Sequence, residues 1–221
     1  MTDTTLTVSA LSARRGARQV LTDVGFTAHR GEVVGVIGPN GAGKTTLFEC
    51  IARVLPFEKG SIQAEPLFYV PDGIRPWPDQ SVRWTLDHVT RMFGSSRAEA
   101  RLEELELTAL QNTAAGFLSK GEAKRMAVAM GLAVPRSVLL LDEPFDGLDL
   151  RQTRQLMDVL RRDANAGRTL VLSIHQLADA ARVCDRFLLL DHGRTVAEGT
   201  IDQLRATTGC SGLEEVFLAL T

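Results

Sequence analysis

The stretch Gly38-Pro39-Asn40-Gly41-Ala42-Gly43-Lys44-Thr45 decides the fold, because it follows the pattern G-x-x-x-x-G-K-[ST]. A short apolar run, Val33 to Ile37, precedes it, and Thr46-Leu47-Phe48 is expected to open a helix. Glycines in this pattern let backbone N–H groups turn inward around phosphate oxygens, and the helix N-terminus adds its positive dipole end. Lys44 would supply a charge to the terminal phosphates, and the Thr45 hydroxyl would bind Mg²⁺. The stretch therefore predicts a phosphate-binding loop.

A second apolar run, Val138 to Leu141, ends in Asp142 and Glu143. Two acids at the end of a buried strand are costly unless their charges are used. We expect Asp142 to hold Mg²⁺ through its water shell. Glu143, one residue further, would face an attacking water and suits a general base. The alternative is a solvated strand end before Pro144, which the phosphate-binding loop makes the weaker interpretation.

Composition and charge narrow the class of protein. The 221 residues are 44% hydrophobic and 24% charged, and the net charge of -2 gives no overall field that favours nucleic acid or an anionic membrane. The three cysteines lie far apart and have no metal-ligand spacing. Met1 to Ser9 lacks the pattern of a signal peptide, and no apolar run approaches the roughly 18 residues that span a bilayer. We expect a reduced, cytoplasmic chain that reaches a membrane only through a partner.

The period of the apolar residues changes along the chain. Strand-like alternation gives way to helical spacing at Val82 to Phe93 and at Ala98 to Leu105, where Ser96 and Glu99 form a predicted capping box. After Pro135 the pattern returns to alternating strands and helices, and Thr200 with Gln203 is predicted to cap a final helix. The pattern predicts an α/β core with a helical insertion near residues 75–134.

Three further segments complete a resemblance to the nucleotide-binding domains of ABC transporters. Phe117-Leu118-Ser119-Lys120-Gly121-Glu122 stands where that family has L-S-G-G-Q, Asp146-Gly147-Leu148-Asp149 resembles its D-loop, and His175 stands at its switch histidine. The resemblance covers essentially the whole chain. It implies an α/β P-loop NTPase core of the ABC ATPase type with an N-terminal antiparallel β-region and an inserted α-helical subdomain. The single domain 1–221 would then divide into a core lobe, 1–74 and 135–221, and a helical subdomain, 75–134.

The resemblance also implies a mechanism, in which two ATP-hydrolysing domains pair head to tail. Each ATP lies between the phosphate loop of one chain and the signature of the other. Ser119 and Gly121, with Glu122, would complete the γ-phosphate cage in trans, Asp149 would act in the D-loop, and His175 would contact the same phosphate. The residues expected to bind nucleotide in their own chain are Gly38, Asn40, Gly41, Ala42, Gly43, Lys44, Thr45, Thr46 and Arg15.

The chain departs from the family pattern at several positions. Lys120 and Glu122 replace the first glycine and the glutamine of the signature, while Ser119 and Gly121 remain. Arg15 stands where an aromatic ring usually stacks on adenine; a guanidinium plane can also stack, and a surface arginine is nearly as good an explanation. Asp72 takes the place of the Q-loop glutamine, where a carboxylate could still meet Mg²⁺ beside Thr45 and Asp142.

The favoured function is an ATPase subunit that powers a membrane ABC transporter, an exporter whose permease is a separate chain. The end of the chain, Leu213 to Leu220, resembles the tail of such subunits, and Trp77 in a proline-flanked loop is expected to contact the partner. Trp84 is expected in the core. The partners would be a second ATPase subunit, the same or different, and the permease at the inner face of the membrane, with no nucleic acid. The alternative is a soluble ABC ATPase that acts on a protein assembly, such as a scaffold for iron–sulfur assembly.

Overall fold

The computed structural model describes residues 3–210 and 212–220, so the ends of the expected domain at 1–2 and 221, and residue 211, lie outside the described part. The strands in this part are β1 (Thr4–Arg15), β2 (Arg18–His29), β3 (Val33–Ile37), β4 (Lys59–Ala64), β5 (Leu67–Val70), β6 (Val138–Asp142), β7 (Thr169–Ile174), β8 (Arg186–Asp191) and β9 (Arg194–Gly199). The helices are α1 (Lys44–Ile51), α2 (Val82–Met92), α3 (Ala98–Glu104), α4 (Lys120–Ala133), α5 (Leu150–Asn165), α6 (Leu177–Val183), α7 (Ile201–Thr208) and α8 (Leu213–Leu220).

The strands form two sheets. Strands β2, β1 and β4 make an antiparallel sheet, in that order, at the N-terminal end of the chain. The larger sheet has the order β5-β6-β7-β3-β8-β9, in which β9 pairs antiparallel with β8 and the other neighbours are parallel. The predicted α/β fold with an N-terminal antiparallel β-region is therefore confirmed.

The central strands are apolar throughout because both faces of the larger sheet are covered. Leu139 and Leu141 of β6 belong to a core shared with the helices α2 to α6. Val138 and Leu140 of the same strand belong to a second core, which includes the antiparallel sheet and α1. Side chains of a strand alternate between its faces, so β6 contributes to both cores.

The parallel register brings the predicted site residues to one edge of the sheet. Strands β6, β7 and β3 are neighbours, with Asp142 opposite Ser173 and Ile37 opposite Ile174. Each strand therefore ends at the same level, and the residues that follow them meet there. Ligands of open α/β sheets bind in this crevice, outside the carboxyl ends of the strands.

Two local expectations were wrong and one is confirmed. Helix α3 begins at Ala98 after an N-cap of Arg97 without a side-chain cap, so Ser96 lies too far upstream to cap it, and Glu99 pairs with Arg83 instead. Trp84 is 39% exposed, because it lies on the face of α2 opposite Val82, Leu86 and Val89. At α7 the predicted capping box is present, with Thr200 as the N-cap and Gln203 at N3.

None of the helices within 3–210 and 212–220 combines the length and apolar character that crossing a membrane requires.

Candidate functional site

The phosphate-binding loop joins β3 to α1 and has no room for side chains at two of its glycines. A Cβ at Gly38 would lie 2.1 Å from the carbonyl oxygen of Leu190. Gly43 has a φ of 106°, and a Cβ there would lie 2.7 Å from Cδ2 of Leu21. Glycine alone meets both conditions, and it leaves the backbone N–H groups of the loop accessible to a phosphate.

Lys44 is buried and curls back over the loop. Its Nζ donates hydrogen bonds to the carbonyl oxygens of Gly38, at 2.7 Å, and Pro39, at 3.2 Å. The same Nζ lies 4.0 Å from a carboxylate oxygen of Glu143. Burial lowers the pKa of Lys44, and the charges of Glu143 and Asp142 oppose this effect. The ammonium group is thus held between the loop and the acidic end of β6.

Asp142, at the end of β6, is buried and accepts hydrogen bonds from three hydroxyl groups. Oδ2 accepts from Oγ1 of Thr45, at 2.8 Å, and from the hydroxyl of Tyr69, at 3.4 Å, while Oδ1 accepts from Oγ of Ser173. Burial and the nearby Asp142 raise the pKa of Tyr69, so that its hydroxyl remains a donor. The adjacent Thr45 hydroxyl and Asp142 carboxylate are hard oxygen donors, and they fit Mg²⁺.

Glu143 follows Asp142 in a backbone conformation that favours glycine, with a φ of 49°. Its N–H donates to Oγ of Ser173 at 2.8 Å. This turn directs the Glu143 carboxylate between two basic groups, with one oxygen 4.0 Å from Nζ of Lys44 and the other 3.3 Å from Nδ1 of His175. Left-handed conformations of bulky residues cluster at functional sites. Sequence reasoning missed Ser173, whose hydroxyl contacts both acidic residues.

Asp72 lies in the loop after β5 and near Glu143. Carboxylate oxygens of Asp72, Glu143 and Asp146 all lie within 4.8 Å of one another. The Asp72 carboxylate accepts a hydrogen bond from Nζ of Lys124 at 2.5 Å. Asp72 is therefore paired with a lysine of α4 and not with the other two expected metal ligands, Thr45 and Asp142, which are hydrogen-bonded to each other.

The signature segment forms the start of α4. Ser119 is the N-cap, its Oγ accepts from the N–H of Glu122 at 3.4 Å, and its own N–H donates to the Glu122 carboxylate at 2.8 Å. These hydrogen bonds to Ser119 lower the pKa of Glu122. Oγ of Ser119 is an acceptor in the cap, so its own proton remains available to an anion. Glu122, which stands where the family has glutamine, thus forms the capping box that holds the signature residue Ser119 in position.

The D-loop, Asp146 to Asp149, is in direct contact with the signature segment. A Cβ at Gly121 would lie 2.7 Å from the carbonyl oxygen of Gly147, so these two glycines are in close backbone contact. Asp149 is the N-cap of α5, where it forms a capping box with Gln152. The sequence analysis identified both motifs but did not predict this contact between them.

A cavity of about 640 Å³ opens beside the phosphate-binding loop. In its lining the Arg15 guanidinium pairs with Glu49, and Nε of Arg15 donates to Oγ1 of Thr46 at 3.1 Å. The cavity is lined by Arg15, Arg18, Gln19, Val20, Asn40, Gly41, Gly43, Lys44, Thr45, Thr46, Glu143 and His192. Sequence reasoning missed four of these residues, Arg18, Gln19, Val20 and His192. They belong to the start of β2 and to the turn between β8 and β9, which lie apart from the phosphate-binding loop in the chain.

The expected residues fall into two groups in space. Most of the phosphate-binding loop, together with Arg15 and Glu143, lines the cavity, whereas Gly38 and Ala42 do not line it. Asp142 and His175 contact Thr45 and Glu143 respectively. The signature and D-loop residues expected to act on the partner do not line this cavity in the described part of the chain. Those residues are Ser119, Gly121, Glu122 and Asp149.

Comparisons with known proteins agree with this geometry. Residues 21–146 match the ABC transporter family. The chain is 33% identical to the daunorubicin resistance ATP-binding protein DrrA3 of Streptomyces coeruleorubidus, over 98% of this chain and 75% of that protein. It is 30% identical to the lipopolysaccharide export system ATP-binding protein LptB of Escherichia coli (strain K12), over 89% and 90% respectively. A solved ATP-binding subunit of an ABC transporter superposes with a TM-score of 0.91 at 29% identity, over 98% of this chain and 99% of that one.

Proposed function

The chain belongs to the ABC transporter family as an ATP-binding, ATP-hydrolysing subunit, and on that premise we propose that it powers export through a separate membrane permease. The observation that carries the ATPase role is the placement of Glu143 between Lys44 and His175, next to the bonded pair of Thr45 and Asp142. The names of DrrA3 and LptB, which refer to drug resistance and lipopolysaccharide export, support the direction of transport.

The roles of the chain's own residues follow from their contacts. Lys44 would leave the loop carbonyls for the terminal phosphate oxygens, which are stronger acceptors for an ammonium group. Glu143 would accept the proton of the attacking water, and His175 at 3.3 Å would orient the Glu143 carboxylate and contact the γ-phosphate. The backbone N–H groups of Gly41 and Gly43 would bind the phosphates without moving side chains aside.

Two oxygen ligands of the chain would hold Mg²⁺. These are the Thr45 hydroxyl and the Asp142 carboxylate, which already touch at 2.8 Å. When bound, the ion neutralises charge on the phosphates during transfer. Asp72, the third ligand expected from the sequence, would reach the metal only by leaving Lys124.

We propose that the second half of each site comes from another copy or a related subunit, paired head to tail. Ser119, Gly121 and Glu122 lie at the N-terminus of the 14-residue helix α4, where backbone N–H groups and the helix dipole favour an anion. Asp149 begins α5 beside them, so both motifs would approach the partner's nucleotide together. The proposed division into a core lobe, 1–74 and 135–221, and a helical subdomain, 75–134, places α4 in the smaller part.

The proposed contact with the permease lies on the helical subdomain. Trp77 and Trp84 are 37% and 39% exposed. The ring of His88 stacks on Trp84 at 4.6 Å between centroids and meets the edge of Trp77 at 4.9 Å. Exposed tryptophans are enriched at protein interfaces, and this cluster would bind the permease at the cytoplasmic face of the membrane. We propose no nucleic-acid partner, since the net charge is -2.

Purification from detergent-solubilised membranes tests the proposal. Affinity capture of the chain should recover a polytopic membrane protein, and the complex should hydrolyse ATP in the presence of Mg²⁺. Lys44→Ala should abolish this hydrolysis, because Lys44 is the buried cation of the phosphate-binding loop. Recovery of soluble partners alone would favour the alternative of a soluble ATPase that acts on a protein assembly. Normal hydrolysis by Lys44→Ala would refute the site itself.

A further inference from the structure

Two lysines on one face of α4 are bound to acidic residues of the surrounding loops. Lys120 lies 2.8 Å from an oxygen of Asp146, in the turn after β6. Lys124, one helical turn later, lies 2.5 Å from an oxygen of Asp72, in the loop after β5. Residues four apart share a helix face, so both ion pairs bind the same side of α4. Each pair includes one residue that departs from the family pattern, Lys120 in the first and Asp72 in the second.

The ion pairs offset a repulsion between three carboxylates. Oxygens of Asp72, Glu143 and Asp146 lie within 4.8 Å of one another, where like charges repel. The hydrogen bond from Lys120 lowers the pKa of Asp146, and Asp146 in turn raises the pKa of Lys120. The two lysines therefore neutralise two of the three acids, which leaves the Glu143 charge facing Lys44 and His175.

Lys124 and Asp72, which form the second ion pair, are not equally buried. The Lys124 side chain is 7% exposed and that of Asp72 is 48% exposed. A small cavity of about 50 Å³ beside them is lined largely by apolar side chains, including Val70, Ala127 and Leu141. Asp72 is the ion-pair partner that the described residues supply to Lys124. A buried ammonium group needs an acidic partner. The ion pair therefore couples the position of the loop that carries Asp72 to the position of α4.

The other end of α4 is also fixed to the core. Arg168, just before β7, donates hydrogen bonds to the carbonyl oxygens of Gly131 and Val134 at the C-terminus of α4. Asp163 of α5 pairs with this arginine at 3.1 Å. Opening of the Lys120 and Lys124 pairs would therefore free the first turn of α4, which carries the signature, while its last turn stays in place.

We propose that Lys124 and Lys120 are positioning residues that hold the signature turn against the core in the register that the partner's nucleotide requires. The pair with Lys124 also keeps the Asp72 carboxylate on α4 and away from the proposed Mg²⁺ site. This inference rests on the proposed function, in which Ser119 and Gly121 act on the partner's nucleotide. It assigns a shared role to Asp72 and Lys120, which depart from the family pattern, and to the buried Lys124.

The test is a comparison of Lys124→Met, Lys120→Met and Lys124→Arg in the full chain. With Lys124→Met, the dissociation constant for a non-hydrolysable ATP analogue should stay within twofold of the parental value, because the loop of its own site is intact. The kcat for ATP should fall at least tenfold, because the signature no longer meets the partner's nucleotide in register. Lys124→Arg should restore most of the kcat. Lys120→Met, at a 68% exposed side chain, should fold normally and show a smaller loss of kcat.

Hydrogen exchange provides a reading that does not depend on activity. In the nucleotide-free chain, Lys124→Met should speed amide exchange in residues 72–74 and 120–123 and leave residues 131–134 unchanged. The matched control is Arg151→Met, which breaks another ion pair at 2.6 Å between α5 and Glu106. That control should keep the parental kcat and the parental exchange at both ends of α4.

Several results would overturn the inference. One is a parental kcat in Lys124→Met, and another is unchanged exchange at residues 72–74. A third is a loss of analogue affinity as large as the loss of kcat, because Lys124 would then act on the site of its own chain. If the parental chain itself fails to hydrolyse ATP, the proposed function fails, and hydrogen exchange still decides whether the two ion pairs hold α4.

Discussion

Ser173→Ala is expected to loosen both acidic residues of the site at once. Ser173 is fully buried, its Oγ donates to Asp142, and it accepts the N–H of Glu143 at 2.8 Å. A hydrogen bond to a charged group is worth about 1.5–3 kcal/mol, and an unsatisfied N–H costs about 1–3 kcal/mol. Asp142 keeps its bonds to Thr45 and Tyr69, so the lower part of the combined range applies. We expect a loss of roughly 3 kcal/mol in the free energy of unfolding.

Thermal unfolding and ATPase assays of the purified chain measure this effect. In a chain of this size, 1 kcal/mol corresponds to about 2–4 °C in Tm, so Ser173→Ala should unfold roughly 6–12 °C lower. Residues that orient metal ligands typically contribute about 10–100-fold to activity, and the kcat should fall within that range. Ser61→Ala, on the exposed strand β4, serves as the control and should match the parent. A Ser173→Ala protein with the parental Tm and kcat would refute the role of this hydroxyl.

Three further predictions concern the contact of Arg15 with adenine, the signature residue Ser119 and the capping box that Glu122 forms. Arg15→Ala should raise the KM for ATP and Arg15→Tyr should lower it again, since either a guanidinium plane or a ring can stack on adenine; unchanged KM values would restrict Arg15 to its contacts with Glu49 and Thr46. Ser119→Arg should bind ATP as a monomer with nearly parental affinity and yet not hydrolyse it; a strong loss of monomer affinity, measured by equilibrium dialysis, would place Ser119 in its own chain's site. Because its hydrogen bonds to Ser119 lower the pKa of Glu122, this cap stabilises the fold above the ordinary glutamate pKa of about 4.3 and is lost as pH falls through the lowered value. The stability difference between the parent and Glu122→Gln should therefore shrink from pH 7 to acidic pH in urea unfolding, and a difference that grows would contradict this sign.

The phosphate-binding loop and the acidic end of β6 were predictable because each is encoded locally. The run Val33 to Ile37 must form a strand buried on both faces, and the glycines that follow it exclude most other conformations. The same holds for Val138 to Asp142, whose apolar run leaves only the final acid to face the site. The order of parallel strands then brings the two segments to one edge.

Contacts between distant parts of the chain were beyond sequence reasoning. Ser173 is one serine in an apolar strand, and its two bonds depend on the register of β6 and β7. The pairing of Lys124 with Asp72 joins residues 52 positions apart. The prediction of Trp84 in the core failed because the apolar spacing of α2 was already satisfied by neighbouring residues, which left the indole on the outer face. The sequence pattern of one helix or strand does not indicate which residues of other elements will contact it in the fold.

Glu143 is proposed to take the proton from the attacking water. Single-turnover hydrolysis of ATP by Glu143→Gln measures this role most directly. Gln keeps the shape of the side chain but cannot accept the proton, while Lys44, Thr45 and Asp142 remain to bind the substrate. A general base is worth about 10²–10⁴ in rate, or roughly 3–5 kcal/mol of barrier. We expect a rate lower by that factor with ATP still bound, and the parental rate in Glu103→Gln, a control at an exposed residue of α3. Hydrolysis by Glu143→Gln at the parental rate would contradict this role.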